Sequence, residues 1–177
     1  MTFCAAGGIL QAEREPALYF YGLDLRYVMV VCLGISLIYD IITLRSHPVF
    51  TLAPLGLGFI VHLQHGTVKA ALAAFFLPFA LNLVRFIKRD VALYDLLDLS
   101  MIGVIMGWPF GLLATVLAKL TYVFINRTWV VKLLGRHKGG YEYAFPYTVV
   151  IVVGAALTYY VFKIFPAIEK QLLTIYP

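Results

Sequence analysis

The sequence predicts an all-α, polytopic integral membrane protein of about six helices, and three observations support this. The 177 residues are 62% hydrophobic and only 13% charged, whereas a soluble domain carries roughly 25% charged residues. The apolar residues stand in long continuous runs rather than in alternation, which disfavours a β-barrel. In lipid, helices satisfy their own backbone polar groups. We therefore expect one membrane helical domain at 26–165, an interfacial segment at 1–25 and a tail at 166–177.

Six apolar runs define the predicted helices in order. They lie at 26–44, 49–63, 70–87, 96–106, 112–125 and 144–165. The runs 96–106 and 112–125 are shorter than the ~20 residues that span hydrocarbon. We expect them to form a tilted or partly inserted hairpin, divided by the helix-breaking cluster GWPFG at 107–111. A polar, basic loop is expected at 126–143.

The basic residues favour a membrane topology over a nucleic-acid partner. The net charge is +5, and the cations cluster between apolar runs, near Arg45, at 85–89 and at 127–138. If the runs cross the bilayer in sequence, these three basic turns lie on one side, which should be cytoplasmic. Both chain termini are then expected outside, and no nucleic-acid partner is predicted.

Three aspartates in apolar surroundings are the candidate chemical groups. Asp40 lies near the end of the first run, and Asp95 and Asp98 lie one helical turn apart. A carboxylate beside hydrocarbon is costly, so such residues mark functional sites in membrane proteins. Asp90 follows Lys88 and Arg89 and is expected to be a solvated charge at a helix end. If the three basic turns share one side, Asp40, Asp95 and Asp98 all lie near that side.

Two of these carboxylates in close proximity could catalyse hydrolysis. Like-charge repulsion makes such a pair share a proton, so that one member accepts a proton from water while the other donates one. The pair titrates as a unit, and spacing alone does not decide whether Asp95 or Asp98 pairs with Asp40.

Other polar and small residues receive simpler interpretations. Lys119 interrupts an apolar run; it could neutralise Asp98 or another buried acid, but snorkelling to an interface is favoured. His62 and His65 lack a third ligand nearby, so we predict neither a metal site nor a cofactor. Glycines in the first two runs are expected to permit close helix contacts: Gly34, Gly56 and Gly58.

Three stretches resemble the type IV prepilin peptidases, the membrane aspartic proteases with a GxGD motif. The segment YDIITLRSHP at 39–48 is similar to the family's first aspartate and basic turn. The segment YDLLDLSMIGVIMG at 94–107 resembles its second aspartate motif, with Asp95, Gly103 and Gly107 in register. The segment AFPYTVVIVVGA at 144–155 resembles the closing motif of the short members that serve Flp/Tad-type pili.

The resemblance implies a prepilin-peptidase-like fold and an aspartic endopeptidase of the bacterial inner membrane. Such an enzyme cuts the leader from prepilin-like precursors at the cytoplasmic face. Asp40 and Asp95 match the two catalytic aspartates, Asp98 is a possible auxiliary or alternative acid, and Lys119 is a possible charge partner. The partners implied are prepilin-like precursors or components of a pilus or secretion assembly.

Departures from the family's motifs leave two other hypotheses open. Ala92 and Tyr94 replace both glycines of GxGD, although glycine permits close backbone approach that Ala and Tyr do not. These losses favour an inactive relative that serves as a structural subunit, whereas the presence of both aspartates favours an active peptidase. A small transporter or proton-conducting subunit that uses Asp95, Asp98 and Lys119 is the third hypothesis.

Overall fold

The computed structural model of the chain is all-helical, as the sequence predicts, apart from two short β-ribbons. It describes residues 18–43, 47–87, 93–127, 136–138, 142–144, 146–168 and 171. The main helices are α1 (Leu25–Thr43), α2 (Pro48–Gln64), α3 (Val68–Ile87), α4 (Leu93–Met106), α5 (Trp108–Arg127) and α6 (Tyr147–Ile164). The ribbons are β1 (Tyr19–Phe20) with β2 (Leu23–Asp24), and β3 (Arg136–Lys138) with β4 (Glu142–Ala144).

The first ribbon leads directly into α1. Tyr21 and Gly22, between the strands, have φ values of 50° and 82°, as the tight turns of two-residue hairpins require. The backbone N–H of Leu25 donates to the carbonyl of Leu18 at 2.9 Å, and Asp24 Oδ1 accepts the N–H of Arg26 at 2.9 Å. These bonds satisfy donors that the first turn of a helix leaves unpaired.

Helix α1 buries a face of mixed apolar and polar residues and exposes an apolar face. Its buried residues recur at helical spacing on one face: Leu25, Met29, Leu33, Ser36 and Asp40. Its opposite face exposes large apolar side chains: Tyr27, Val30, Val31, Ile35, Ile38, Ile41 and Ile42. Water-soluble proteins rarely leave so much apolar surface exposed in one place. A surrounding of lipid explains this arrangement.

Among the described residues, three helices are long and apolar enough to cross a membrane: Leu25–Thr43, Trp108–Ile125 and Tyr147–Ile164. Helices α2 and α3 contain shorter apolar segments, Pro48–Gln64 and Val68–Leu83. The expectation that the run at 112–125 is too short to span was wrong, because α5 begins at Trp108 and has 20 residues.

The predicted five-residue break between α4 and α5 is a single residue. Gly107, with φ 94°, makes the turn, and α5 starts immediately after it. Pro109 fits in the first turn of α5 because the N–H groups there have no intrahelical acceptor. The break was predicted too long because proline was interpreted as a helix breaker at a position where it is tolerated.

Most of the glycines at close helix contacts are not the ones that the sequence predicted. Methyl groups added at Gly34 and Gly56 would meet no atom within 4 Å, so the prediction that these two glycines permit close helix contacts was wrong. The same prediction is confirmed for Gly58, where an added methyl group would lie 2.9 Å from Val104 Cγ1. The closest contacts belong to Gly103, against the carbonyl of Ala74, and to two further glycines: Gly111 and Gly154.

The contact at Gly103 follows from a proline in α3. Pro78 has no N–H, so the carbonyl of Ala74 four residues earlier loses its helical donor. A side chain at position 103 would collide with that carbonyl. Glycine therefore lets α4 approach the exposed backbone of α3, where Cα–H groups can contact the carbonyl.

Candidate functional site

Four helix ends meet at one end of the bundle. Side-chain hydrogen bonds link the carboxyl end of α1 to the amino end of α6, and the amino end of α2 to that of α4. Asp98 in α4 interacts electrostatically with Asp40 in α1. His62 Nε2 lies 2.9 Å from the carbonyl of Val104 and links the other ends of α2 and α4. We refer to the end of the bundle where the four helix ends meet as the acidic end, because it contains Asp40, Asp95 and Asp98.

Asp40 lies three residues before the end of α1 and is 4% exposed. Its Oδ2 accepts hydrogen bonds from Thr148, from the backbone N–H at 3.1 Å and from the hydroxyl at 2.8 Å. Thr148 is the second residue of α6. Asp40 therefore satisfies a donor at the amino end of another helix, where the helix dipole also favours negative charge.

Asp98 is fully buried in α4, and its two carboxyl oxygens have different surroundings. Oδ1 accepts a 2.6 Å hydrogen bond from the hydroxyl of Thr51 in the first turn of α2. Oδ2 is buried and has no hydrogen-bond partner among the described residues. Buried polar atoms are nearly always paired, and an exception calls for an explanation.

Asp95 lies one turn before Asp98, in the first turn of α4, and is 5% exposed. The carboxyl group of Asp98 interacts electrostatically with those of both Asp95 and Asp40. The prediction that Asp95 and Asp98 share a helical face agrees with the burial of both. The structure thus brings Asp40 to the same end of the bundle as Asp95 and Asp98, although about 55 residues separate them in the chain.

The amino ends of α2, α4 and α6 supply favourable electrostatics for this cluster. Each ends in backbone N–H groups with partial positive charge, worth ~0.3–1 kcal/mol per nearby anion. Thr51, Asp95 and Thr148 all lie in the first turns of these helices. The acids are therefore arranged where helix dipoles offset part of their mutual repulsion.

Lys119 lies beside α3 as well as within α5. Its Nζ donates a 2.6 Å hydrogen bond to the carbonyl of Leu81. A role as the charge partner of Asp98 stays a prediction. His62 and His65 bond to backbone carbonyls, of Val104 and Val61 respectively. Within the described ranges, no three His, Cys, Asp or Glu side chains are placed so that they could hold a metal ion.

Three buried hydroxyl residues near the acids were not predicted from the sequence: Ser36, Thr51 and Thr148. Thr51 and Thr148 bond the acids from helices remote in the sequence, and no periodicity reveals such pairs. Ser36 carried a usable signal, because it stands four residues before Asp40 on the same helical face of an otherwise apolar run. The residues Asp90, Ala92 and the turn at 44–46 lie outside the described residues.

Comparison of the chain with family models, with curated proteins and with solved structures found no match. The resemblance to prepilin peptidases therefore stays a prediction based on the three motif stretches.

Proposed function

We propose that this protein is a membrane-embedded aspartic endopeptidase that resembles the prepilin peptidases and cleaves leaders from prepilin-like precursors. Asp40 and Asp95 are its catalytic residues in this proposal, with Asp98 as an auxiliary acid. The observation that carries the proposal is the burial of three interacting carboxyl groups, from helices distant in sequence, at one end of an apolar helical bundle.

The buried acids fit hydrolysis better than a purely structural role. A buried carboxyl group costs stability unless it is neutral or well bonded. Helices α1 and α4 could pack through apolar residues at positions 40, 95 and 98 without that cost. Three such residues in one place therefore support a chemical task.

Hydrolysis by the pair needs one ionised and one protonated carboxyl group. The ionised group takes a proton from water as the water oxygen bonds to the scissile carbonyl carbon. The protonated group donates its proton to the carbonyl oxygen and gives a gem-diol. The C–N bond then breaks as the nitrogen receives the proton held by the first group, while a diol hydroxyl returns one to the second.

The proposed topology puts the acidic end at the cytoplasmic face of a bacterial inner membrane. Six helices that cross or enter the bilayer in sequence leave three connections at this end: after α1, after α3 and after α5. The basic residues near Arg45, at 85–89 and at 127–138 lie in or beside these connections, and positive charge favours the cytoplasmic side. The amino terminus then lies outside.

Leader cleavage in cells is the direct test. We would express the chain with a prepilin-like precursor and compare wild type with Asp40→Asn, Asp95→Asn and Asp98→Asn. Asparagine keeps the shape of the side chain and removes the acid–base chemistry. We expect Asp40→Asn and Asp95→Asn each to abolish cleavage while the protein accumulates in membranes, and Asp98→Asn to reduce it. Asp90→Asn is the matched control and should cleave normally.

Three outcomes would change the proposed function or its catalytic residues. Normal cleavage with asparagine at position 40 or 95 would remove that residue from the catalytic pair. If purified wild-type protein in detergent cleaves no precursor, the inactive structural subunit becomes the better hypothesis. Proton flux in proteoliposomes that depends on Asp95, Asp98 and Lys119 would instead favour the transporter.

A further inference from the structure

One face of α1 lies opposite Asp98. Cys32, Ser36 and Asp40 follow each other at four-residue intervals, so they share this face. Helix α1 packs against α4, and Asp98 interacts electrostatically with both Cys32 and Asp40. Ser36 stands between these two positions, on the face of α1 whose residues interact with Asp98.

Ser36 is a buried hydroxyl residue whose Oγ has no hydrogen-bond partner among the described residues. It is 1% exposed. Other buried hydroxyls in the described helices have a partner: Thr51 and Thr148 bond the acids, whereas Ser100 bonds the carbonyl of Leu96 at 3.2 Å and Thr158 that of Gly154 at 2.8 Å. Leaving a hydroxyl buried and unpaired costs about 1–3 kcal/mol.

Asp98 presents the matching group. Its Oδ1 is bonded to Thr51, and its buried Oδ2 is the unpaired atom. The two unpaired atoms belong to helices that pack against each other. One is a hydroxyl and one a carboxyl oxygen, which are the polar partners that a buried water needs. A water between them would accept or donate at both ends and would lie one helical turn deeper than Asp40 and Asp95.

We propose that Ser36 Oγ and Asp98 Oδ2 bind one water molecule between α1 and α4. If the peptidase function proposed above holds, this water replenishes the one consumed in hydrolysis, and Ser36 is a positioning residue for it. Ser36 makes no contact with the substrate in this proposal. Its hydroxyl acts through the water and through Asp98.

Infrared difference spectra of the full chain in lipid nanodiscs, recorded upon a pH change, test the water site without reference to cleavage. The O–H stretching band of a bound water moves to lower frequency in H₂¹⁸O. We expect such a band in wild type, its loss in Ser36→Ala, and its retention in Ser36→Thr, which keeps a hydroxyl. In Asp98→Asn we expect the band at a changed frequency, because the amide still bonds a water but as a different partner. Ser100→Ala is the matched control, because it removes an equally buried serine hydroxyl that bonds its own helix.

Cleavage kinetics test the positioning role separately. Misplacing a reacting group by about 1 Å can cost up to about 100-fold in rate. We expect Ser36→Ala to lower kcat by about 10- to 100-fold with little change in KM, and Ser36→Thr and Ser100→Ala to remain near wild type.

The outcomes separate this inference from the peptidase proposal. An ¹⁸O-sensitive band that persists in Ser36→Ala, or that is absent from wild type, overturns the water site even if cleavage is normal. A band with the expected dependence in a protein that cleaves nothing leaves the water site standing and removes the peptidase function. If Ser36→Ala does not accumulate, Asp98→Asn still tests the site, because an unchanged band frequency in that variant overturns it.

Discussion

The contact between α5 and α6 gives the sharpest prediction about stability, for the substitution Gly154→Ala. A methyl group at position 154 would lie 2.8 Å from both the carbonyl oxygen of Ala114 and the backbone nitrogen of Ala118, and 2.9 Å from Ala118 Cβ. Carbon–oxygen contacts normally lie at about 3.3–3.6 Å. Helix α6 must therefore move away from α5 by about 0.5–0.8 Å, because the obstructing atoms belong mostly to backbone.

The cost follows from overpacking a rigid contact. Such changes typically destabilise a protein by about 1–3 kcal/mol. Alanine also improves helix propensity over glycine by up to ~1 kcal/mol. Gly34→Ala in the middle of α1 shares that gain and meets no atom within 4 Å, so the difference between the two variants isolates the overpacking. We expect Gly154→Ala to be less stable than Gly34→Ala by about 1–3 kcal/mol.

Reversible unfolding in mixed micelles of dodecyl sulfate and a mild detergent measures this difference. Wild type and both variants would be followed by far-ultraviolet circular dichroism as the mole fraction of dodecyl sulfate rises. Equal unfolding free energies for the two variants would show that α5 and α6 do not approach at this point, and the packing described here would then be incorrect.

Two further variants test the site and the turn. Thr148→Val removes the hydroxyl that bonds Asp40 and should lower the unfolding free energy by about 1–3 kcal/mol. The control is Thr158→Val, which removes a hydroxyl that bonds only its own helix and should lower the unfolding free energy by less. Equal losses in the two variants would contradict the role of the Asp40 bond. Gly107→Ala introduces a side chain at φ 94° and should cost about 1–2 kcal/mol in the same assay, whereas an unchanged free energy would mean that the turn does not require this conformation.

The positions of most helices could be predicted from the sequence because they depend on local properties. Continuous apolar runs bounded by polar turns predicted 70–87 where α3 spans Val68–Ile87, and 144–165 where α6 spans Tyr147–Ile164. The errors in the predicted helix boundaries lie where the effect of a proline or glycine depends on its position in the helix. Pro109 is compatible with the first turn of α5, and Gly107 alone ends α4, so the break is shorter than the composition of 107–111 indicated.

The candidate site was only partly predictable. The three acids stood out because a charge in an apolar run has no structural reason to be there. Their hydroxyl partners did not, because threonine in an apolar helix reveals its role only when the facing helix is known. Gly154 could not be recognised from the sequence either, because a side chain there would collide with the backbone of α5 and not with its own helix.

By itself, the sequence determined that the chain is helical, that its apolar helices are compatible with a membrane, and that acidic residues lie near the ends of these helices. Hydrophobicity and helical periodicity are properties of single segments. Only the tertiary structure decided that Thr148 bonds Asp40, that Thr51 bonds Asp98, and that Ser36 Oγ and Asp98 Oδ2 are buried without a partner among the described residues. These relations depend on the relative rotation and depth of packed helices. Contacts across the whole bundle set that rotation and depth, and no local pattern in the chain records them.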